Sequence, residues 1–268
     1  MIAVGIDVGG KNAHIVILKD DEILAQGAGA TGIHKAEMAE KLYDETLKKA
    51  GIKREDVGSV IATGSAGRRV PFADRLIPDA AADARGVNRL VPSARTIIDI
   101  GAEEGRAIKI SPEGKVLDFA INEKCAAGTG TFVEAMARAL EITVEEMAHI
   151  SLNSNQSIPI NAQCAVFGES EVVSLIHQKI PKQDIAKAVH DAVAARIASV
   201  ARIVGLEQDV VMIGGMAKNV GFLDALKKEA SMEIIVPDDP EFVGALGAAE
   251  SFVARKKTQT KVVDRVPR

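Results

Sequence analysis

The chain has no tryptophan, one tyrosine and only 3% aromatic residues in 268. Its core therefore has to be built from aliphatic side chains, and with 47% apolar residues there are enough of them. Two cysteines are too few for a disulfide framework. No uncharged apolar run reaches 18 residues, which excludes an ordinary membrane-spanning helix. Positive charge is not in excess either. A net charge of −4 supplies no general field for nucleic acid. The opening stretch from Met1 to Asp7 reads as a strand and lacks the basic region and cleavage site of a signal peptide. These absences point to a cytoplasmic protein, of one large domain or two average ones, with neither membrane nor nucleic acid as a partner. The five histidines (His14, His34, His149, His177, His190) show no metal-ligand spacing.

What is present is a repeated pattern. Two glycine-flanked aspartates lie ninety-two positions apart (99 − 7), each ending an apolar run and opening a tight turn. The first is Ile6-Asp7-Val8-Gly9-Gly10-Lys11-Asn12, and the second is Ile98-Asp99-Ile100-Gly101-Ala102-Glu103-Glu104. Strand, Asp-x-Gly turn and strand thus occur once near the start of each half. Such a duplicated hairpin can hold a nucleoside triphosphate between two lobes, because glycine lets backbone N–H groups approach phosphate oxygens. The aspartates can hold Mg²⁺, which prefers oxygen ligands and keeps much of its water. Two ordinary hairpins are the plainer alternative, and the repetition argues against it.

Around these turns the periodicity predicts strands at 2–7, 13–18, 22–27 and 57–62 and a helix over 35–50. The second half repeats the theme with strands at 95–100, 105–110 and 115–121. A helix is expected from near Gly128 through Leu140, followed by helices at 144–151, 169–177 and 184–204. A buried strand at 210–213, a helix at 220–229, a strand at 233–236 and a helix at 243–254 complete the order. This is an α/β chain with mixed sheets. The expected division is a first lobe over 1–94, a second over 95–254 whose last helix is free to pack back on the first, and a basic tail over 255–268. The tail has six basic residues and one acid and is expected to be solvated.

Gly27-Ala28-Gly29-Ala30-Thr31-Gly32 matches the dinucleotide fingerprint, but the strand that follows ends in Ala62-Thr63-Gly64 without the required acid. A small-residue loop is the better reading. Val210-Val211-Met212-Ile213-Gly214-Gly215-Met216-Ala217-Lys218-Asn219 is a third glycine element. Its Gly-Gly turn allows an adenosine to lie against the backbone and a helix N-terminus to face phosphate. The small-residue stretch Gly244-Ala245-Leu246-Gly247 is expected to pack close beside it. Cys125, in Lys124-Cys125-Ala126-Ala127-Gly128-Thr129-Gly130, and Cys164, thirty-nine residues on (164 − 125), each precede an expected helix start, where the dipole favours thiolate. Taken alone they are either two structural thiols or half of a four-thiolate iron–sulfur site completed by a second chain; zinc held the same way is a third option.

The combination resembles the BadF/BadG/BcrA/BcrD ATPase family, which includes 2-hydroxyacyl-CoA dehydratase activators and ATPase subunits of class I benzoyl-CoA reductase. The resemblance spans residue 2 to about 254 and is most specific over the segments around Cys125 and Cys164. It implies a duplicated actin-like ATPase fold of the acetate/sugar kinase–heat-shock–actin superfamily. It also implies one 4Fe–4S cluster held by Cys125 and Cys164 of two chains, together with ATP or ADP and Mg²⁺. Asp7 and Asp99 become the catalytic carboxylates, with Glu103 or Glu104 positioning water. Gly9, Gly10, Lys11, Asn12, Gly101, Ala102, Gly128, Thr129, Gly130, Gly214, Gly215, Met216, Asn219 and Gly247 become cofactor-binding. The family's second loop usually reads Asp-Ile-Gly-Gly-Gln-Asp; here Ala102-Glu103-Glu104 looks more like the smaller, D-type subunit of benzoyl-CoA reductase. The implied function is an ATP-hydrolysing electron-transfer subunit of such a reductase. It would be paired with a homologous ATPase subunit and catalytic reductase subunits, and fed by reduced ferredoxin. A homodimeric dehydratase activator is the alternative, and a small-molecule kinase or an actin-like scaffold lies further off.

Overall fold

The structure is a computed structural model that describes residues 1–122, 129–160 and 164–263. The chain divides into two compact units. One comprises Met1–Pro92, Pro112–Val116 and the segment from Glu241; the other comprises Ser93–Ser111 and Leu117–Pro240.

In the first unit β1 (Ile2–Val8), β2 (Asn12–Lys19), β3 (Glu22–Ala30), β4 (Ser59–Thr63) and β5 (Arg75–Leu76) form a sheet in the order β3-β2-β1-β4-β5. The β1–β2 and β2–β3 pairs are antiparallel, and β4 joins β1 in parallel. Side chains alternate along β1. Val4, Ile6 and Val8 pack with Leu42, Tyr43 and Leu47 of α1 (Lys35–Ala50) on one face. Ala3 faces the other way, with Ala245, Leu246 and Ala249 of the last helix. Both faces are covered, which is why these strands read as nearly unbroken apolar runs.

That last helix, α8 (Val243–Val263), lies on β1, β2 and β4 and on α2 (Asp79–Leu90). Residues from Glu241 onward thus belong to the first unit, whereas the sequence placed 241–254 in the second lobe with leave to pack back. Helix also continues through Val263, into the segment expected to be a solvated tail. The Gly27–Ala30 stretch is strand rather than loop. Its glycines let α1 sit close: a methyl group on Gly27 would lie 2.1 Å from Thr46 Oγ1.

The second unit repeats the plan. Its strands are β6 (Thr96–Ile100), β7 (Gly105–Ile110), β8 (Val116–Ile121), β9 (Val210–Ile213) and β10 (Ile234–Ile235), in the order β10-β9-β6-β7-β8. One core joins Ile98, Ile100 and Met212 of the sheet chiefly to four helices, with Val172 of a fifth. The four are α3 (Gly130–Ala139), α4 (Val144–Ser151), α6 (Lys182–Val204) and α7 (Val220–Ala230). α5 (Ala165–His177) buries only Gly168 and Val172. His190 of α6 is buried, with Nδ1 3.0 Å from Ser151 Oγ, and burial pushes its pKa down to about 4, so it is neutral at physiological pH. Among the described residues no helix is long and apolar enough to cross a membrane.

Candidate functional site

The two aspartates occupy matching places. Asp7 sits on central strand β1, paired with His14 across the hairpin and with Thr63 on the parallel neighbour β4. Asp99 sits on central strand β6, paired with Arg106 across the hairpin and with Ile213 on the parallel neighbour β9. The hairpin turns match in detail. Gly9 N–H donates to the Asn12 carbonyl at 2.9 Å, and Gly101 N–H donates to the Glu104 carbonyl at 2.9 Å.

Each parallel neighbour ends in a glycine of positive φ set against the aspartate. Gly64 has φ +91°, and a methyl group there would lie 2.2 Å from Asp7 Oδ1. Gly214 has φ +83°, and a methyl group there would lie 2.6 Å from Asp99 Oδ1. Any L side chain would be strained at both positions and would displace the carboxylate. Asp7 is held on its other oxygen too: a methyl group on Gly244 would meet Oδ2 at 2.8 Å and Asp83 Oδ1 at 3.3 Å. Sequence reasoning named Gly214 but missed Gly64, Asp83 and this use of Gly244, because each depends on strand register and helix placement. It also missed Thr31, fully buried, whose N–H donates to the Lys11 carbonyl and whose Oγ1 donates to the Gly9 carbonyl. The set-aside fingerprint thus supplies a prop for the first loop.

The second loop is held differently. Gly130 and Thr131, at the start of α3, donate their N–H groups to the carbonyls of Gly101 and Ala102 at 3.0 and 2.9 Å. Buried Thr129 meets Thr131 Oγ1 at 3.1 Å. Arg106, 9% exposed, reaches Glu104 Oε2 at 3.2 Å and Asp99 Oδ2 at 3.5 Å. Glu104 is therefore engaged in an ion pair beside Asp99, whereas Glu103 is exposed at the turn tip. Lys11 and Asn12 are exposed, and Gly10 is half-buried.

In the third element β9 ends at Ile213, and Gly214 donates to the Pro240 carbonyl at 3.0 Å. The turn opens a single 3₁₀ turn, Gly215–Lys218, before α7 begins. A methyl group on Gly215 meets nothing within 4 Å, so the fold itself does not require glycine there. Met216 is a core residue. Asn219 caps α7, its Oδ1 accepting from Phe222 N–H at 2.9 Å. Its Nδ2 is buried without an acceptor among the described residues, an orphaned donor of the kind that a polar ligand satisfies. Gly247 serves close packing, since a methyl group there would lie 1.7 Å from the Ala82 carbonyl of α2. The Gly244–Gly247 stretch lies against β1 and α2.

Cys164 is the N-cap residue of α5, half-buried, its carbonyl accepting from Gly168 N–H at 2.9 Å. Val166 and Phe167, in the turn that follows it, are 67% and 63% exposed. Cys125 and Gly128 lie outside the described residues. The donor set that is described holds one thiol suited to a soft metal or an iron–sulfur cluster.

The 2-hydroxyisocaproyl-CoA dehydratase activator of Clostridioides difficile is 40% identical, over 98% of this chain and 99% of its own. A structure of a Clostridium difficile activator of the same dehydratase with bound ADPNP superposes with TM-score 0.90 at 37% identity, covering 100% of both chains. The D-type subunit of benzoyl-CoA reductase from Thauera aromatica is 35% identical, over 79% of this chain and 77% of its own. The fold is the duplicated actin-like ATPase fold expected from the sequence. With its family model matched over residues 4–251, the chain belongs to the BadF/BadG/BcrA/BcrD ATPase family.

Proposed function

We propose that this protein binds and hydrolyses Mg²⁺–ATP and uses the cycle to deliver low-potential electrons to a separate catalytic component, as an activator of a 2-hydroxyacyl-CoA dehydratase. The observation that carries the nucleotide half is the pair of glycine-cradled aspartates on matching strands. Asp7 and Asp99 are the carboxylates for the metal, held rigid so that little reorganisation is needed when charge develops on phosphate. Backbone at Gly9, Gly10, Gly101 and Ala102 meets phosphate oxygens, and Gly215 and Asn219 meet the nucleoside. Glu104, paired with Arg106, serves to fix the loop that orients the attacking water.

The electron-transfer half rests on Cys164 and Cys125. The half-buried Cys164 thiol precedes an exposed apolar turn, the composition expected of a surface that a second chain covers. Two chains then supply four thiolates for one 4Fe–4S cluster, which provides one-electron transfer at low potential. Reduced ferredoxin is the proposed donor.

The dehydratase reading is favoured over the reductase reading because the Clostridioides difficile activator is both more identical and more fully covered than the D-type subunit of the reductase. One observation favours the second reading: the Ala102-Glu103-Glu104 loop. In that case the partner is a homologous ATPase chain, and the catalytic module reduces an aromatic acyl-CoA.

Anaerobic purification with iron, sulfide and ATP turnover measured together tests the proposal. About four iron atoms per two chains are expected, falling to background in Cys164→Ser while the fold is retained. Iron-free wild-type protein, or full iron in the variant, overturns the cluster assignment.

A further inference from the structure

We infer that Asp79 is a positioning residue for the Asp7 carboxylate, acting through the Thr63-Gly64 turn. The inference rests on the nucleotide site proposed above and adds to it a residue of α2.

Asp79 is the first residue of α2, directly after Pro78. An acid at that position ordinarily offsets the positive end of the helix. Here its Oδ1 instead accepts two bonds from another element: Gly64 N–H at 2.8 Å and Thr63 Oγ1 at 3.1 Å. Thr63 pairs with Asp7 in the parallel ladder. A methyl group on Gly64 would lie 2.2 Å from Asp7 Oδ1 and 2.5 Å from the Val8 carbonyl, so the turn runs close beside the carboxylate. The turn is closed from both sides: Gly67 N–H donates to the Gly64 carbonyl at 2.9 Å, and Ala66 N–H donates to the Val8 carbonyl at 2.8 Å. The turn is therefore clamped between β1 and the start of α2, with Asp79 as the α2 jaw. Gly244 bounds the opposite oxygen of Asp7. Asp79 supplies the bonds that tie the turn to α2. Without Asp79, Gly64 withdraws, Asp7 Oδ1 gains room to rotate, and the carboxylate loses its fixed aim.

A helix-capping role alone would alter stability and leave the carboxylate's geometry intact, so the two roles separate by measurement. The probes are the hydrogen-exchange rate of the Gly64 amide, measured without nucleotide, and the steady-state constants for Mg²⁺–ATP. In Asp79→Ala the Gly64 amide is expected to exchange about tenfold faster or more. Its kcat should fall about ten- to a hundredfold, with KM within about threefold of wild type. Asp79→Asn keeps an oxygen that accepts both bonds, and should restore both readouts to within about threefold of wild type. Unchanged Gly64 exchange in Asp79→Ala overturns the inference, as does an unchanged kcat. So does an Asp79→Asn variant as impaired as Asp79→Ala, which would show that the charge itself is what matters. A wild-type chain that turns over no ATP strikes the proposed function instead; the exchange arm still decides whether Asp79 fixes the turn.

Discussion

At the scale of single residues, the nucleotide assignment can be separated from the needs of the fold at Asn219. Its side chain has two ends with different duties. Oδ1 satisfies the N–H of Phe222 and starts α7, while Nδ2 is buried without an acceptor among the described residues. A protein gains nothing from an orphaned donor, which costs free energy to desolvate, so its retention argues for a ligand atom that completes it. Asn219→Ser tests this cleanly. Serine is an equally good N-cap, so stability should change by less than about 0.5 kcal/mol. The missing donor should raise KM for ATP about three- to tenfold, the equivalent of one ordinary hydrogen bond of about 1 kcal/mol. A variant that loses stability but binds ATP as before would make Asn219 a structural cap and nothing more. Met216 and Gly247 lack such an orphaned group. Their side-chain space is accounted for by the fold, Met216 in the core and Gly247 under α2.

At the scale of elements, the small residues that looked like binding signals are mostly packing devices. Gly247 and Gly86 lie where α8 crosses α2; methyl groups on them would lie 1.7 Å from the Ala82 carbonyl and 2.2 Å from the Val243 carbonyl. Backbone cannot yield as a flexible side chain can. Gly247→Ala should therefore force the helices apart and cost about 1–3 kcal/mol or more, seen as a fall of several degrees in thermal midpoint. Gly215→Ala is the control, since its methyl group meets nothing within 4 Å and should leave the midpoint nearly unchanged. Equal midpoints for both variants would refute the close-crossing account. The same crossing explains what the sequence concealed. The strands other than the two-residue β5, and α1, α4, α6 and α7, were legible because apolar residues mark their buried faces. α2 was not, since it buries Ala82, Ala84 and Gly86, with Val87 as its one large apolar contact, and an alanine–glycine stripe gives almost no periodic contrast. α5 was read four residues short (169 − 165), because Val166 and Phe167 in its first turn face outward and break the expected pattern. The aspartates and their hairpin glycines were visible as a repeated motif. The cradle was not, because Gly64 becomes Asp7's neighbour only through the parallel register of β1 and β4.

At the scale of the whole molecule, one feature of the described surface is out of keeping with a chain that works alone. α5 carries Val166, Phe167, Val173 and Ile176, all more than a third exposed, within one half of its circumference. The helix buries only two residues of its own and begins at the Cys164 thiol. A second chain laid over this face would bury apolar area and bring a second set of cysteines to the first, so assembly and metal loading should fail together. Whether that chain is a copy or a homologue is open to direct test, and the activator reading proposed above takes it to be a copy. The protein expressed alone should then be a homodimer under anaerobic conditions, as read by native mass analysis. Phe167→Glu, at a position 63% exposed, should leave the single chain folded. It should shift the population toward monomer and lower iron per chain in the same proportion, because a charge buried at an interface without a partner is strongly unfavourable. A Phe167→Glu protein that remains dimeric and fully loaded would place the interface elsewhere. Wild-type protein that stays monomeric until a second, homologous ATPase chain is added would instead return the reductase reading, with its unusual Ala102-Glu103-Glu104 loop, to first place.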